Sequence, residues 1–270
     1  LPKSSFFTRF ISIMKHKQTD ELFDLLETKY HLYNQSNFVE HDPISIPHQF
    51  QKKEDIEIAG FLAATIAWGQ RVTIINNANK MLKIMDHSPH DFILNHTKKD
   101  LNKTEGFVHR TFNAIDLNYF FTALKHIYIE CGGLEAVFLQ KEGLNKSISN
   151  FKKLFFSIDH QKRTQKHIAD PLKKSTAKRI NMYLRWMVRS DKNSVDFGMW
   201  KTHKSKDLMI PLDVHTGNVG RKLGLLKRNQ NDWQAVEELT DALRKFDPED
   251  PVKYDFALFG MGVNGDVENL

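Results

Sequence analysis

The sequence predicts an all-α protein, on three observations. Apolar residues recur at helical spacing over most of the chain, and they are 40% of its 270 residues, enough for a real interior. Only 13 Gly and 8 Pro interrupt them, so long helices are permitted. No run alternates apolar and polar residues around a hairpin turn.

From the N-terminus, Leu1–Met14 is short and interrupted by Lys3 and Arg9, and is not read as a signal peptide. Residues 22–33 carry a helical apolar pattern, and Asp42–Gln51, with Pro43 and Pro47, reads as a connector. Residues 55–85 hold the first strong signal. Ile58, Phe61, Leu62, Thr65 and Ile66 line one face, and Ile56, Ala59, Ala63 and Ala67 fill a second, as in a central helix. Gly69 ends it, and a second helix runs from about 73 to 85 with Ile74, Ala78, Met81 and Leu82 inward. Residues 90–105 are polar and helical in places. Further helices are expected over 116–130, stopped by Gly132 and Gly133, and over 147–158. The segment GFVHRTFN (106–113) fits no element; His109 and Arg110 read slightly better as a structural pair than as pocket residues.

Asp170-Pro171 marks a break, after which Ser175 or Thr176 is placed to cap a helix over 177–189. Ile180, Tyr183, Leu184, Met187 and Val188 form its apolar stripe. Lys178, Arg185 and Arg189 fall on nearly one azimuth, predicting a basic outer face. A loop with Phe197 and Trp200 follows. Pro211 then forces an extended approach to Asp213, which stands at the N-cap of a short helix ended by Gly224. Gly217 and Gly220 lie inside that helix, each costing roughly 1 kcal/mol against Ala. The expected reason is close approach of another backbone or a ligand.

The formal charge of +6 weakly favours a polyanionic partner. A single cysteine, Cys131, excludes an internal disulfide and any thiolate cluster for zinc or iron–sulfur, and fits a reducing, cytoplasmic setting. No apolar run approaches the roughly 20 residues of a membrane span. No His pair with nearby acids has metal-ligand spacing, so neither metal nor cofactor is expected.

The segment IPLDVHTGNVGRKLGLL (210–226) resembles the signature of the helix-hairpin-helix DNA glycosylases. Asp213, His215, Val219, Leu223, Gly224 and Leu225 match it in order, with Asn218 where many members have Arg and Val214 where Thr is usual. Residues 233–262 are similar to the family's closing helix pair. Phe61–Asn76 is similar to its central helix and the turn that enters DNA, and Lys173–Met187 to its hairpin and second helix. The resemblance covers about 55–262. It is nearest to a bacterial branch of conserved unknown-function proteins and, more distantly, to the archaeal 8-oxoguanine glycosylases. The family's glycine-bearing hairpin is replaced by PLKKSTAKR.

The resemblance implies a two-lobed helical fold with a degenerate hairpin, one lobe from 1–54 and 213–270 and the other from 55–212. It implies a monomer that binds double-stranded DNA and excises a damaged base, possibly an oxidised purine, flipped out of the duplex. Asp213 then stabilises positive charge on the sugar. Lys178 aligns with the lysine that forms a Schiff base in members with lyase activity, Lys174 being the second choice. Arg179 and the helix N-terminus supply neighbouring positive charge. DNA contacts are expected from Gln70, Arg71, Lys173, Lys174, Ser175, Arg185 and His215. The base-pocket candidates are Trp68, His109, Trp186, Phe197 and Trp200. The DNA reading requires Lys173, Lys174, Lys178, Arg185 and Arg71 to share one concave face with Asp213. Two other readings compete: a nucleic-acid binder that kept the fold and lost the chemistry, and a helical protein-interaction module.

Overall fold

A computed structural model describes residues 19–138 and 143–266; Leu1–Met14 lies outside them. The described residues are mostly helical, and their one sheet has two strands.

Helix α1 occupies 19–33 and α2 Asn37–Glu40. Two 3-10 turns follow, the first started by Asp42, whose carboxylate accepts the Ile44 amide. Helix α3 (Lys53–Thr65) is the centre of the molecule: every residue from Ile56 to Thr65 is buried, as its all-round apolar sequence requires. It packs against α4 (Arg71–Ile84) and α5 (Pro89–Asn95); a short α6 (Lys98–Leu101) follows.

Residues 106–113 form a hairpin. Strands β1 (Val108–His109) and β2 (Phe112–Asn113) pair antiparallel around Arg110, which takes a left-handed conformation. Two-residue strands are too short to show alternation, so no strand signal stands in residues 106–113. Asn113 then opens α7 (Ala114–Glu130) with a capping box: it accepts the Ile115 and Asp116 amides, and Asp116 accepts the Asn113 amide. Helices α8 (Leu134–Val137) and α9 (Leu144–Phe155) lead to α10 (Lys178–Val188), which packs on α3. Phe61 lies at the middle of this core, its ring within 6.0 Å of those of Phe120, Phe151, Phe155 and Tyr183.

The C-terminal part comprises α11 (Val214–Lys222), α12 (Trp233–Arg244) and α13 (Tyr254–Asn264). Helices α11 and α13 lie against one another, and glycine makes this possible: a Cβ on Gly262 would stand 2.9 Å from that of His215. Buried apolar side chains from Leu26 to Met261 form one continuous cluster. No helix among the described residues is long and apolar enough to cross a membrane.

The predicted basic face of α10 is absent. Arg185 and Arg189 are 4% and 1% exposed. Arg185 pairs with Asp196 and Asp255, and Arg189 with Asp191, Asp196 and Asp250. The helix cap also differs. The N-cap residue is Ala177, left-handed at φ 47°, with no side-chain cap; Ser175 Oγ instead accepts the Ala177 amide at 3.2 Å. Lys174 is left-handed too, at φ 66°. The turn before α10 therefore takes two conformations that favour glycine, without a glycine.

Candidate active site

A cavity of about 850 Å³ opens where α4 and α10 face α11 and α13. Its chemistry begins with Asp213. Ile210, Pro211 and Leu212 are buried and deliver the chain to the N-cap of α11. There Asp213 Oδ1 accepts the Thr216 amide at 3.0 Å. One carboxylate oxygen is thus fixed by the helix, and Oδ2 remains for the cavity. Asn231 donates to the Asp213 carbonyl at 3.3 Å. A Cβ on Gly217 would meet Asn231 Oδ1 at 2.9 Å, and one on Gly220 would meet Leu239 at 3.2 Å. The two glycines are therefore explained by close side chains, Asn231 and Leu239, and not by an approaching backbone.

Lys178, the first residue of α10, reaches the same place. Its Nζ lies 3.9 Å from Asp213 Oδ2 and 3.4 Å from the Met182 sulfur. Both charged side chains are about a quarter exposed, at 24% and 25%. Amine and carboxylate, far apart in sequence, converge at the wall of one cleft.

Aromatic rings flank them. The Arg179 guanidinium lies over Trp68, 4.6 Å from the ring centroid, and His109 meets Trp68 edge-on at 4.9 Å. Phe259 stands on the α13 side, with the Arg71 guanidinium 5.2 Å from its ring. Arg179, also a lining residue, donates to the Thr65 and His167 carbonyls. Burial pulls its pKa down to about 10. Asp42 and Leu212 also line the cleft.

The matching family model carries the description "Protein of unknown function (DUF2400)" and spans residues 42–264. The chain belongs to that family. The matched span includes every residue lining the cleft, from Asp42 to Val263. No curated protein and no solved structure matches the chain.

Of the residues expected to act, Trp68, Gln70, Arg71, Lys178, Asp213 and His215 all line the cleft. Lys173 and Lys174 are exposed on the turn that leads to Thr176, itself a lining residue. Arg185 is off this surface, held by buried carboxylates, so the face shared with Asp213 that the DNA reading required lacks Arg185: Arg71 and Lys178 line the cleft, and Lys173 and Lys174 stand outside its lining. Ser175, half-buried, is turned to its own backbone. Trp186 and Trp200 are sealed in the core, Trp200 donating to Glu57 at 2.6 Å. Phe197 packs on His48 at 4.3 Å, and His109 is buried with its ring nitrogens on Asn77 and the Trp68 carbonyl. None of these four lines the cleft. Among the described residues, no group of His, Cys, Asp or Glu could hold a metal ion.

Sequence reasoning missed Asp42, Met182, Asn231, Phe259 and Asp255. Asp42 was read as part of a connector. Asp255 had a signal: a lone charge inside the apolar run YDFALFG. It sits just under the cleft, paired to Arg185. Burial pushes its carboxyl up to about 6, against the opposing charge of Arg185. Burial likewise raises Asp42, against the Ile44 amide and the charges of Arg185, Lys178 and Arg71.

Proposed function

We propose that this cleft excises a damaged base from duplex DNA, with Lys178 as nucleophile and Asp213 as the carboxylate that stabilises the sugar cation. The observation that carries the reading is the 3.9 Å approach of Lys178 Nζ to Asp213 Oδ2 inside a cavity walled by aromatic rings. A base cannot be reached inside the stack, and a volume of about 850 Å³ accommodates a flipped nucleoside. Trp68 and Phe259 supply aromatic wall to its base.

The neutral amine of Lys178 attacks the sugar C1′. The N-glycosidic bond breaks, and the base leaves with its bonding electrons and takes up a proton. Positive charge on the sugar is met by the free oxygen of Asp213. Opening of the sugar ring leaves a Schiff base on Lys178, from which strand cleavage follows. Arg71 and Lys178 in the cleft, with Lys173 and Lys174 beside it, supply the positive charge for phosphates. A single copy of the chain on one duplex suffices for this chemistry. The left-handed Lys174 and Ala177 support reading the turn before α10 as a hairpin counterpart that manages without glycine.

The test is incubation with duplexes carrying an oxidised purine, scoring abasic or nicked product, and borohydride trapping of the adduct. Asp213→Asn is expected to lower product formation by roughly 10²–10³-fold, and Lys178→Ala to abolish the adduct. Activity that survives Asp213→Asn overturns the assignment. Salt-sensitive duplex binding with neither product nor adduct favours a non-catalytic binder.

A further inference from the structure

Three arginines without a carboxylate partner meet at one turn of the cleft wall. Among the described residues, Arg163, Arg185, Arg189, Arg228 and Arg244 form ion pairs with carboxylates. Arg71, Arg110, Arg179 and Arg221 form none with a described carboxylate. Arg221 commits its guanidinium to the carbonyls of Arg228 and Asn229 and to Asn231. The other three surround Trp68–Arg71, the turn that leads from α3 into α4. Arg179 lies over the Trp68 ring at 4.6 Å, held there by the carbonyls of Thr65 and His167. Arg71 closes the turn, its guanidinium 5.2 Å from the Phe259 ring. Arg110, at the tip of the β1–β2 hairpin, covers Gly69: a Cβ on that glycine would stand 3.2 Å from Arg110 Nη1 and 3.4 Å from its Cδ. Trp68, Gly69, Gln70, Arg71 and Arg179 all line the cavity.

The carboxylates of the cleft leave this charge unanswered. Asp213 stands beside Lys178, and Asp42 caps the 3-10 turn at Ile44. Arg110 and Arg179 also bear on one side chain. Burial first, and then the charges of these two arginines, lower the His109 pKa against its hydrogen bond to the Trp68 carbonyl. Arg110 holds its place under strain. It is exposed, and its φ of 53° costs an L-residue about 1–2 kcal/mol. Glycine would take the same turn freely. An arginine kept in that conformation, over a glycine with no Cβ to obstruct it, has no partner for its charge among the described residues. Three such cations gathered at one turn suit an anion from outside the chain.

We propose that Arg71, Arg110 and Arg179 hold the phosphates of a nucleic-acid strand where it passes the Trp68–Arg71 turn, with Arg110 as the outer contact. The inference rests on reading the cleft as a DNA site, though not on any bond being broken there. Guanidinium suits this task because its planar fork of donors matches phosphate oxygens and its charge is permanent. Arg179 gives two N–H groups to carbonyls and keeps the rest of its five for a ligand. The rings of Trp68 and Phe259 attract the guanidiniums beside them without neutralising them. The hairpin of residues 106–113 is then the arm that carries the outer contact, and Gly69 is the bare position on which that arm rests.

The experiment uses a short labelled duplex without a lesion, so that no chemistry intervenes. The full chain is titrated into it, and anisotropy is followed from about 50 to 200 mM salt. Arg110→Gly removes one charge and keeps the left-handed turn, so the fold is retained, as a urea midpoint at or above that of wild type will show. Its Kd is expected to rise about tenfold. The slope of log K against log salt should lose about one unit, the counterion share of one phosphate. Arg71→Gln should do the same. Lys192→Gln is the control: it removes an exposed charge beyond the end of α10 opposite Lys178 and should leave Kd within about twofold. An Arg110→Gly variant that binds like wild type, or no worse than Lys192→Gln, overturns the inference and leaves the excision reading standing. Displacement of the duplex by inorganic phosphate below about 1 mM at constant ionic strength overturns it too, since the site then takes a small anion. If Arg110→Gly loses affinity as expected but lesion duplexes yield no product, the excision reading fails and the strand contact stands. A wild type that binds no duplex at the lowest salt refutes both.

Discussion

Replacing Arg189 by Met removes the guanidinium that ties α10 to the rest of the molecule. Arg189 is 1% exposed. It donates to Asp191 at 2.6 Å, Asp196 at 3.0 Å, Asp250 at 2.8 Å and the Tyr30 hydroxyl at 2.8 Å. Met fills similar volume but leaves these acceptors in place. Asp196 retains Arg185, while Asp191 and Asp250 lose their only ion-pair partner among the described residues. Breaking a buried pair from one side costs about 3–5 kcal/mol, a large part of the roughly 5–15 kcal/mol that holds a domain folded. The deficit should depend on pH. Burial alone would raise the Asp191 carboxyl, but the Arg189 charge and the hydrogen bonds it receives outweigh burial and hold it below its ordinary value. A carboxyl depressed in the fold contributes stability above its unfolded pKa of about 3.9, and that stability is lost as pH falls through the folded value. The gap between wild type and Arg189→Met should therefore be widest near pH 7 and close toward pH 4. Urea unfolding followed by tryptophan fluorescence measures it, since Trp186 and Trp200 are buried. A loss below about 1 kcal/mol at pH 7, or one that does not change with pH, would refute the clamp.

Two further outcomes follow from single residues. Lys174 is exposed and left-handed, a conformation that costs an L-residue roughly 1–2 kcal/mol, part of which glycine returns as backbone entropy in the unfolded chain. Lys174→Gly should raise unfolding stability by about 0.5–1 kcal/mol, and a loss in urea denaturation would show that the side chain holds the turn. His167, 4% exposed, has its pKa pulled to about 4 by burial, against the attraction of Asp116. The unfolded chain then binds a proton between roughly pH 6.5 and 4 that the fold does not, so stability should fall as pH drops through that window. His167→Gln should flatten the fall, as read by urea midpoints at half-unit pH steps.

The fold was legible wherever the pattern was local and long. The all-round apolar run of α3, the stops at Gly132 and Gly133, and the approach Pro211–Asp213 before α11 all stand in the sequence because adjacent residues dictate them. What failed was anything decided by a distant partner. Lys178, Arg185 and Arg189 share an azimuth in the sequence, yet only Lys178 faces the cleft. Asp196, Asp250 and Asp255 arrive from elsewhere in the chain and draw the two arginines inward. Trp200 resembled a pocket aromatic until Glu57, on the central helix, claimed its indole. The left-handed Lys174 and Ala177 were invisible for another reason: glycine is the signal for such conformations, and the chain adopts them without it.

The cleft's geometry turns on how one aspartate divides its two oxygens. An N-cap carboxylate has a fixed direction because one oxygen is committed to a backbone amide, here that of Thr216. That commitment orients the second oxygen without the entropy of a free side chain. Lys178 is positioned in a related way, as the first residue of a helix whose remaining turns are buried, so its origin cannot drift relative to α3. The two groups that meet at 3.9 Å are thus held by opposite helix starts facing one cavity, each anchored by a core that neither belongs to. Residues placed in this way can be partly exposed and still keep their geometry. That combination distinguishes this pair from a freely moving surface ion pair.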